Sequence, residues 1–172
     1  MGNFREKNFF RAIIKNIPII LLFISVLNEF DFNYLGLSYF SFDFPFILIF
    51  YWSLIKNESL GYGFIFIAGM INDVVVGLPI GISSMSYLFI CVFASYLRNI
   101  TLRPSLIKDW IFFLFTIFFI KSLMHLLLVL FFSFELNYII LITNLFFTFL
   151  MYYFLSHLFR LYSKIAFGNL YD

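Results

Sequence analysis

Residues 60–97 read LGYGFIFIAGMINDVVVGLPIGISSMSYLFICVFASYL, two apolar segments on either side of Gly77-Leu78-Pro79-Ile80-Gly81. The two glycines have the G-x-x-x-G spacing of a helix-dimerisation face, but the proline between them favours a turn. Because this connection is so short, the two segments are expected to form an antiparallel helical hairpin. The pattern predicts helices at about residues 60–76 and 80–97.

Four further apolar segments flank this hairpin, at about residues 17–30, 42–55, 110–132 and 136–159. The first follows a basic stretch, as in a signal peptide, but Asn28-Glu29-Phe30-Asp31 is not a cleavage sequence. We therefore interpret it as an uncleaved anchor. The sequence predicts an all-α membrane protein with about six transmembrane helices in a single integral membrane domain, residues 1–172.

The composition agrees with a membrane location. Of the 172 residues, 63% are hydrophobic and 12% are charged, and the mean hydropathy is +1.01. An average soluble domain is roughly 45–50% apolar and about 25% charged, so this chain cannot supply a polar surface for a soluble fold. The net charge of +2, without a continuous basic stripe, argues against nucleic acid as a partner.

The cationic residues predict the orientation of the chain. With six spans, ten of the eleven Lys and Arg residues fall on one side of the bilayer. These residues are Arg5, Lys7, Arg11, Lys15, Lys56, Arg98, Arg103, Lys108, Arg160 and Lys164. The opposite loops hold Glu29, Asp31 and Glu135, with Asp43 close by. By the positive-inside rule, both ends of the chain are expected in the cytoplasm of a bacterium, with the protein in the cytoplasmic (inner) membrane.

Two charged residues fall deep inside predicted spans. Asp73 lies ~16–20 Å into the third span and Lys121 ~16 Å into the fifth, at 1.5 Å per residue. Each charge costs ~2.5–3.5 kcal/mol at a helix centre on insertion scales. We predict that Asp73 contacts either Lys121 or His125, which shares a helix face with Lys121 at i+4. Three interpretations are open. The pair would fix how the two helices pack, or it would line a proton or ion path. Alternatively, a polar residue of a partner protein would complete the buried site.

Other polar residues within the spans follow helical spacing. Asn144 and Thr148 are four residues apart in the sixth span, and Ser84, Cys91 and Ser95 form a similar stripe in the fourth. Small and polar residues at this spacing commonly join membrane helices, so packing is the favoured interpretation. Neither a zinc-protease H-E-x-x-H motif nor a Gly-rich phosphate loop is present. The sequence therefore predicts no enzyme, no cofactor and no metal site.

An ordered set of features over residues 43–98 resembles the MreD family of rod shape-determining proteins. Pro45 opens a segment that leads to Tyr51-Trp52-Ser53, and the fourth span ends in Tyr96-Leu97-Arg98. Between them lies a glycine-rich third span with an acidic residue and a following turn. Its matching positions are Gly61, Gly63, Gly69, Asp73, Gly77, Pro79 and Gly81. Asn72 stands where the family pattern has an apolar residue or Gln, and Lys121 lies outside the pattern.

This resemblance implies a non-catalytic scaffold in the elongation machinery that maintains cell shape and lateral peptidoglycan synthesis. The implied partners are the bitopic protein MreC, the actin-like MreB, the glycosyltransferase RodA and a class B penicillin-binding protein. A basic patch of Arg98, Arg103 and Lys108 would meet anionic lipid or the filament, or would only set the topology. Tyr51 and Trp52 are expected in an interfacial aromatic belt.

A substrate-binding component of an energy-coupling-factor vitamin transporter is the alternative. Such components also have six helices and inward ends, and MreD-like chains resemble their fold. Their first helix docks the coupling subunit through small residues spaced by four, whereas residues 17–26 contain no Ala-x-x-x-Ala. A vitamin pocket should also draw polar groups to the outer loops, which are short and acidic in this chain. The sequence therefore favours the scaffold.

Overall fold

The computed structural model describes residues 16–27, 41–55, 60–101, 105–133 and 137–167, with side chains in the last range described to residue 163. Within these ranges the chain is all helical, as predicted. The helices are α1 (Asn16–Leu27), α2 (Phe44–Ile55), α3 (Tyr62–Val76), α4 (Ile82–Ile100), α5 (Leu106–Phe132) and α6 (Tyr138–Phe167). Each overlaps one predicted segment, and the predicted end of the first segment, residues 28–30, lies outside the described residues.

Short connections make consecutive helices from α2 to α6 antiparallel, because only five or six residues separate each pair. The bundle therefore has two distinct ends. The hairpin end contains the α3–α4 turn, the starts of α2 and α6, and the end of α5. The basic end contains the end of α4 and the start of α5, where Arg98 and Lys108 are exposed. Arg103, the third residue of the predicted basic patch, lies outside the described residues.

The centre of the bundle is α2, which packs against α4 and α6. Every residue from Phe44 to Ser53 is buried. Phe50 contacts the rings of Phe113 and Tyr152, with centroid distances of 5.0 and 5.6 Å. A helix that is apolar on all sides must be covered on all sides, which explains its central position. Pro45 is its second residue, where the missing N–H costs no helical hydrogen bond.

The predicted interfacial positions of Tyr51 and Trp52 are wrong. These side chains are only 3% and 2% exposed and lie in the core. Trp52 packs against Phe159 and Tyr162, at centroid distances of 6.5 and 5.9 Å. Because α6 continues beyond its predicted end at Phe159, Tyr162 is available to cover the C-terminal end of α2.

The α3–α4 turn forms as predicted. Gly77 and Gly81 have φ angles of 74° and 107°, in the left-handed region that favours glycine. The carbonyl oxygen of Asp73 accepts the N–H of Leu78 at 2.8 Å, which closes the end of α3. Gly69 allows a close approach of the two helices, because a Cβ there would lie 2.4 Å from the Cα of Ser84.

Helices α5 and α6 are long and apolar enough to cross a membrane. Only 33% of the most apolar window of α5 and 17% of that of α6 are buried inside the protein. Their outward faces carry large apolar side chains, including Phe118, Phe131 and Ile139. The shorter apolar helices α1, α2 and α3 have 10–17 residues each.

Candidate functional site

An ion pair between Lys121 and Asp43 lies near the hairpin end. The Nζ atom of Lys121, on α5, is 2.5 Å from the Oδ2 atom of Asp43, which immediately precedes α2. The ammonium also lies 5.1 Å from the centre of the Phe46 ring. The backbone N–H of Asp43 donates to Oγ1 of Thr148 on α6 at 3.0 Å. One acidic residue thus connects the start of α2 to both α5 and α6.

The predicted contact of Asp73 with Lys121 or His125 is wrong. Asp73 is fully buried, and its carboxylate accepts the backbone N–H groups of Gly81 at 2.7 Å and Ser83 at 2.8 Å. It therefore caps the start of α4, where free N–H groups and the helix dipole favour a negative charge. The reason is local: the five-residue turn folds the start of α4 back onto the last turn of α3.

Several of the predicted polar residues of α6 and α4 link elements of the bundle, whereas Ser95 donates to Cys91 within α4. Nδ2 of Asn144 donates to Oγ of Ser41 at 3.1 Å, and Thr148 accepts the N–H that precedes α2. On α4, Oγ of Ser84 donates to the carbonyl oxygen of Phe66 at 3.1 Å. The buried thiol of Cys91 accepts a hydrogen bond from Ser53 of α2 at 3.2 Å.

These contacts surround a polar cavity of about 300 Å³ at the hairpin end. Residues of all six helices line this cavity, together with residues of the segment before α2 and of the α3–α4 turn. Its polar lining residues are Ser25, Ser41, Asp43, Asn72, Ser83, Tyr87, Lys121 and Asn144. The buried Oδ1 of Asn144 has no hydrogen-bond partner in the described part of the chain. The cavity therefore presents a charge pair, two amides and several hydroxyls to a small polar molecule or to water.

Asn72 lines this cavity. It stands where the MreD-like pattern has an apolar residue or Gln. Its Nδ2 atom donates to Oγ of Ser83 at 3.0 Å, beside the carboxylate cap of α4. An apolar residue at this position could not make that bond. Asn72 thus adds a side-chain link between α3 and α4 and contributes an amide to the cavity.

A second buried acidic residue, Asp109, did not stand out in the sequence. It lies in the first turn of α5 and is 7% exposed. With Tyr51, Tyr152 and Arg160 it lines a small cleft between α2, α5 and α6 toward the basic end. Its position directly before Trp110 is a signal that could have been noticed, because acidic residues are favoured in the first turn of a helix.

The two histidines of the chain lie on different helices. His125 is half-buried on α5, and His157 is exposed on α6. Among the described residues, no three His, Cys, Asp or Glu side chains form a group that could hold a metal ion. Comparison of the chain with protein-family models, with curated proteins and with solved structures finds no match.

Proposed function

We propose that this protein is a non-catalytic membrane scaffold of the bacterial cell-elongation machinery, as the resemblance to MreD-like proteins implies. It would cross the cytoplasmic membrane six times with both ends inside. It would contact the transmembrane helix of a bitopic MreC-like partner, within a complex containing RodA, a class B penicillin-binding protein and MreB. The observation that carries this proposal is the apolar outer surface of the bundle.

That surface supports a membrane location. Phe115, Phe118 and Leu130 of α5 are 63–68% exposed, and Ile139 and Ile142 of α6 are also exposed. Soluble monomers rarely expose contiguous apolar patches beyond a few hundred Å². Because α5 and α6 are mostly unburied, they also differ from core helices of a soluble protein. Lipid or apolar helices of partners would cover such faces.

The short central helix is compatible with this placement. Twelve residues of α2 span only about 18 Å, less than the ~30 Å hydrocarbon core of a bilayer. Non-helical backbone is tolerated at membrane depth where protein or a polar cavity surrounds it. Residues 41–43 lie against α6 and the polar cavity, which provide hydrogen bonds at this end of α2.

The buried charges at the hairpin end support a scaffold because internal contacts use them. Asp73 caps α4, and Lys121 pairs with Asp43. Residues 43–98, which carry the family resemblance, form the central helix and the tight α3–α4 hairpin.

Depletion of the protein in rod-shaped cells tests the proposal. We expect the cells to round and lyse, and we expect re-expression of the chain, but no supplied vitamin, to restore rods. Depleted cells that keep their rod shape, or that recover when a vitamin is supplied, would contradict a shape function. Genes for a bitopic coiled-coil protein and an actin-like protein nearby would be further support.

The polar cavity favours a second candidate, the substrate-binding component of a small-molecule transporter. The short, acidic outer loops argued against it in the sequence, yet six helix residues and two residues just before α2 bring polar side chains to the cavity. Mass spectrometry of the protein purified in mild detergent distinguishes the two functions. A stoichiometric small polar molecule whose retention is lost on Asn144→Leu would favour the transporter, and its absence would favour the scaffold.

A further inference from the structure

Tyr87, on α4, brings a hydroxyl without a partner to the polar cavity. Its side chain is only 3% exposed, and its ring packs edge-on against Phe46 with a centroid distance of 5.5 Å. The hydroxyl makes no hydrogen bond in the described part of the chain, yet it retains accessible surface, unlike Oδ1 of Asn144. Because Tyr87 lines the cavity and is otherwise buried, an occupant of the cavity can supply the missing partner.

The ion pair of Lys121 and Asp43 lies in the same part of the cavity wall. The Nζ atom of Lys121 is 5.1 Å from the centre of the Phe46 ring, which Tyr87 also contacts. The side chains of Lys121 and Asp43 keep 12% and 30% of their surface exposed, and both line the cavity. A molecule in the cavity would therefore meet an ammonium, a carboxylate and a hydroxyl.

The charges on this wall cancel. Lys121 and Asp43 are the charged residues among the described lining, and they have opposite signs. Asp73 is buried nearby, but backbone N–H groups of the α4 start compensate its carboxylate. A ligand with a net charge would bring an unpaired charge into a partly buried site, which costs free energy. A neutral ligand that carries both charges would instead form charge-assisted hydrogen bonds with both wall groups.

We propose that this cavity binds a small α-amino acid in its zwitterionic form. The ammonium of Lys121 and the carboxylate of Asp43 are only 2.5 Å apart, so the two charges of the ligand must also lie close together. An α-amino acid carries both on one carbon atom. Its carboxylate would accept hydrogen bonds from Lys121 and Tyr87, and its ammonium would donate to Asp43.

The remaining lining limits the side chain of the ligand. The volume of about 300 Å³ is at the lower end of the range for small-molecule sites, about 300–1,000 Å³, so the ligand must be small. Val76, Leu78 and Met124 contribute apolar surface. No further charged residue of the described lining is present to pair with an acidic or basic side chain. The cavity thus favours amino acids with short, uncharged side chains.

This site goes beyond the scaffold function and does not depend on it. The cavity lies between the helices at the hairpin end, whereas the proposed partner contacts use the outer surface of the bundle. For the transporter candidate, the same site names the substrate class.

Thermal unfolding of the purified protein in detergent, with each protein amino acid added in turn, tests the ligand class. A ligand that binds only the folded protein raises the unfolding midpoint. We expect a rise with amino acids that have short, uncharged side chains. The amide and the N-acetyl derivative of the same amino acid each lack one charge and should have little effect.

Three outcomes would overturn the proposal. The first is no rise with any amino acid, which would leave only water in the cavity. The second is a rise confined to amino acids with charged or large side chains. The third is an equal rise with either derivative or with glycerol, because an osmolyte stabilises a protein without a specific site.

Tyr87→Phe tests the location of the site. It removes only the hydroxyl and keeps the ring against Phe46, so the midpoint without ligand should stay close to that of the native protein. The dissociation constant of the amino acid should rise about tenfold, equivalent to about 1.4 kcal/mol. Tyr96→Phe, at an exposed position of the same helix, is the matched control and should change neither quantity.

Unchanged affinity in Tyr87→Phe, or an equal loss in Tyr96→Phe, would overturn the cavity as the binding site. Neither result bears on the scaffold function, which the depletion experiment tests separately. Depleted cells that stay rod-shaped would contradict the scaffold and leave the amino-acid site standing.

Discussion

At Lys121, one ammonium group joins three parts of the bundle. It is carried by α5, contacts the carboxylate of Asp43 ahead of α2, and lies over the ring of Phe46. Asp43 in turn donates its backbone N–H to Thr148 of α6. Removing one member of such a partly buried pair leaves the other charge without compensation, which is more costly than removing both.

We therefore expect Lys121→Met to destabilise the protein by about 2–3 kcal/mol, somewhat less than a fully buried pair, because Asp43 is partly exposed. Asp43→Asn combined with Lys121→Met should recover most of that loss. The midpoint of thermal unfolding in detergent micelles measures both effects. Equal midpoints for the single and double variants would show that the two residues are not coupled.

Asp73→Asn supplies a control for this cycle. Because Asp73 contacts α4 and its turn and not Lys121, its effect should add to that of Lys121→Met without rescue. Rescue of Lys121→Met by Asp73→Asn would instead restore the pairing that the sequence suggested.

At the scale of elements, the α3–α4 hairpin depends on a close backbone contact and on a side-chain cap. Gly69 lets α3 approach the backbone of Ser84, and Asp73 satisfies two N–H groups at the start of α4. The close contact at Gly69 and the cap by Asp73 both join α3 to α4, and these two residues lie one helical turn apart on α3.

Gly69→Ala should destabilise the hairpin, by about 1–3 kcal/mol for an overpacked contact, because the added Cβ would lie 2.4 Å from the Cα of Ser84. Gly63→Ala is the matched control on the same helix, since a Cβ there meets nothing within 4 Å. It should be neutral or slightly stabilising. A thermal midpoint that falls equally in both variants would contradict the close contact.

Asp73→Ala should cost about 2 kcal/mol, because the N–H groups of Gly81 and Ser83, the second of them buried, lose their carboxylate acceptor. Asp73→Asn should be milder, since its Oδ1 can still accept one of them. Thermal unfolding of the two variants in the same detergent checks this order. An alanine variant as stable as the native protein would show that the cap contributes nothing.

At the scale of the whole molecule, the proposed topology places the hairpin end outside the cell and the basic end inside. Ile80 and Ser133 are exposed at the first end, and Asn99 and Lys108 at the second. In a Cys91→Ala background, single cysteines at the first two positions should react with an impermeant maleimide in intact cells. Cysteines at the other two should react only after the membrane is opened, and labelling of Ser133→Cys from the cytoplasmic side would contradict the topology.

Much of the helical architecture could be predicted because its signals are local. Apolar runs and the glycines and proline of residues 77–81 predict which segments are helical, and each described helix overlaps a predicted segment although α6 continues past its predicted end. The linking role of Asn144, Thr148 and Ser84 also followed from their spacing along one helix. These features depend on the chain's own periodicity, so residues near in sequence are enough to find them.

The partners of buried groups could not be predicted in this way. Counting residues gives the depth of Lys121 along α5 but not the direction in which it points, because α5 is apolar around its whole circumference. Its contact with Asp43, the burial of Trp52 under α6 and the meeting of all six helices around one cavity arise between segments distant in sequence. The packing angles and rotations of the helices, which no single segment encodes, set these contacts.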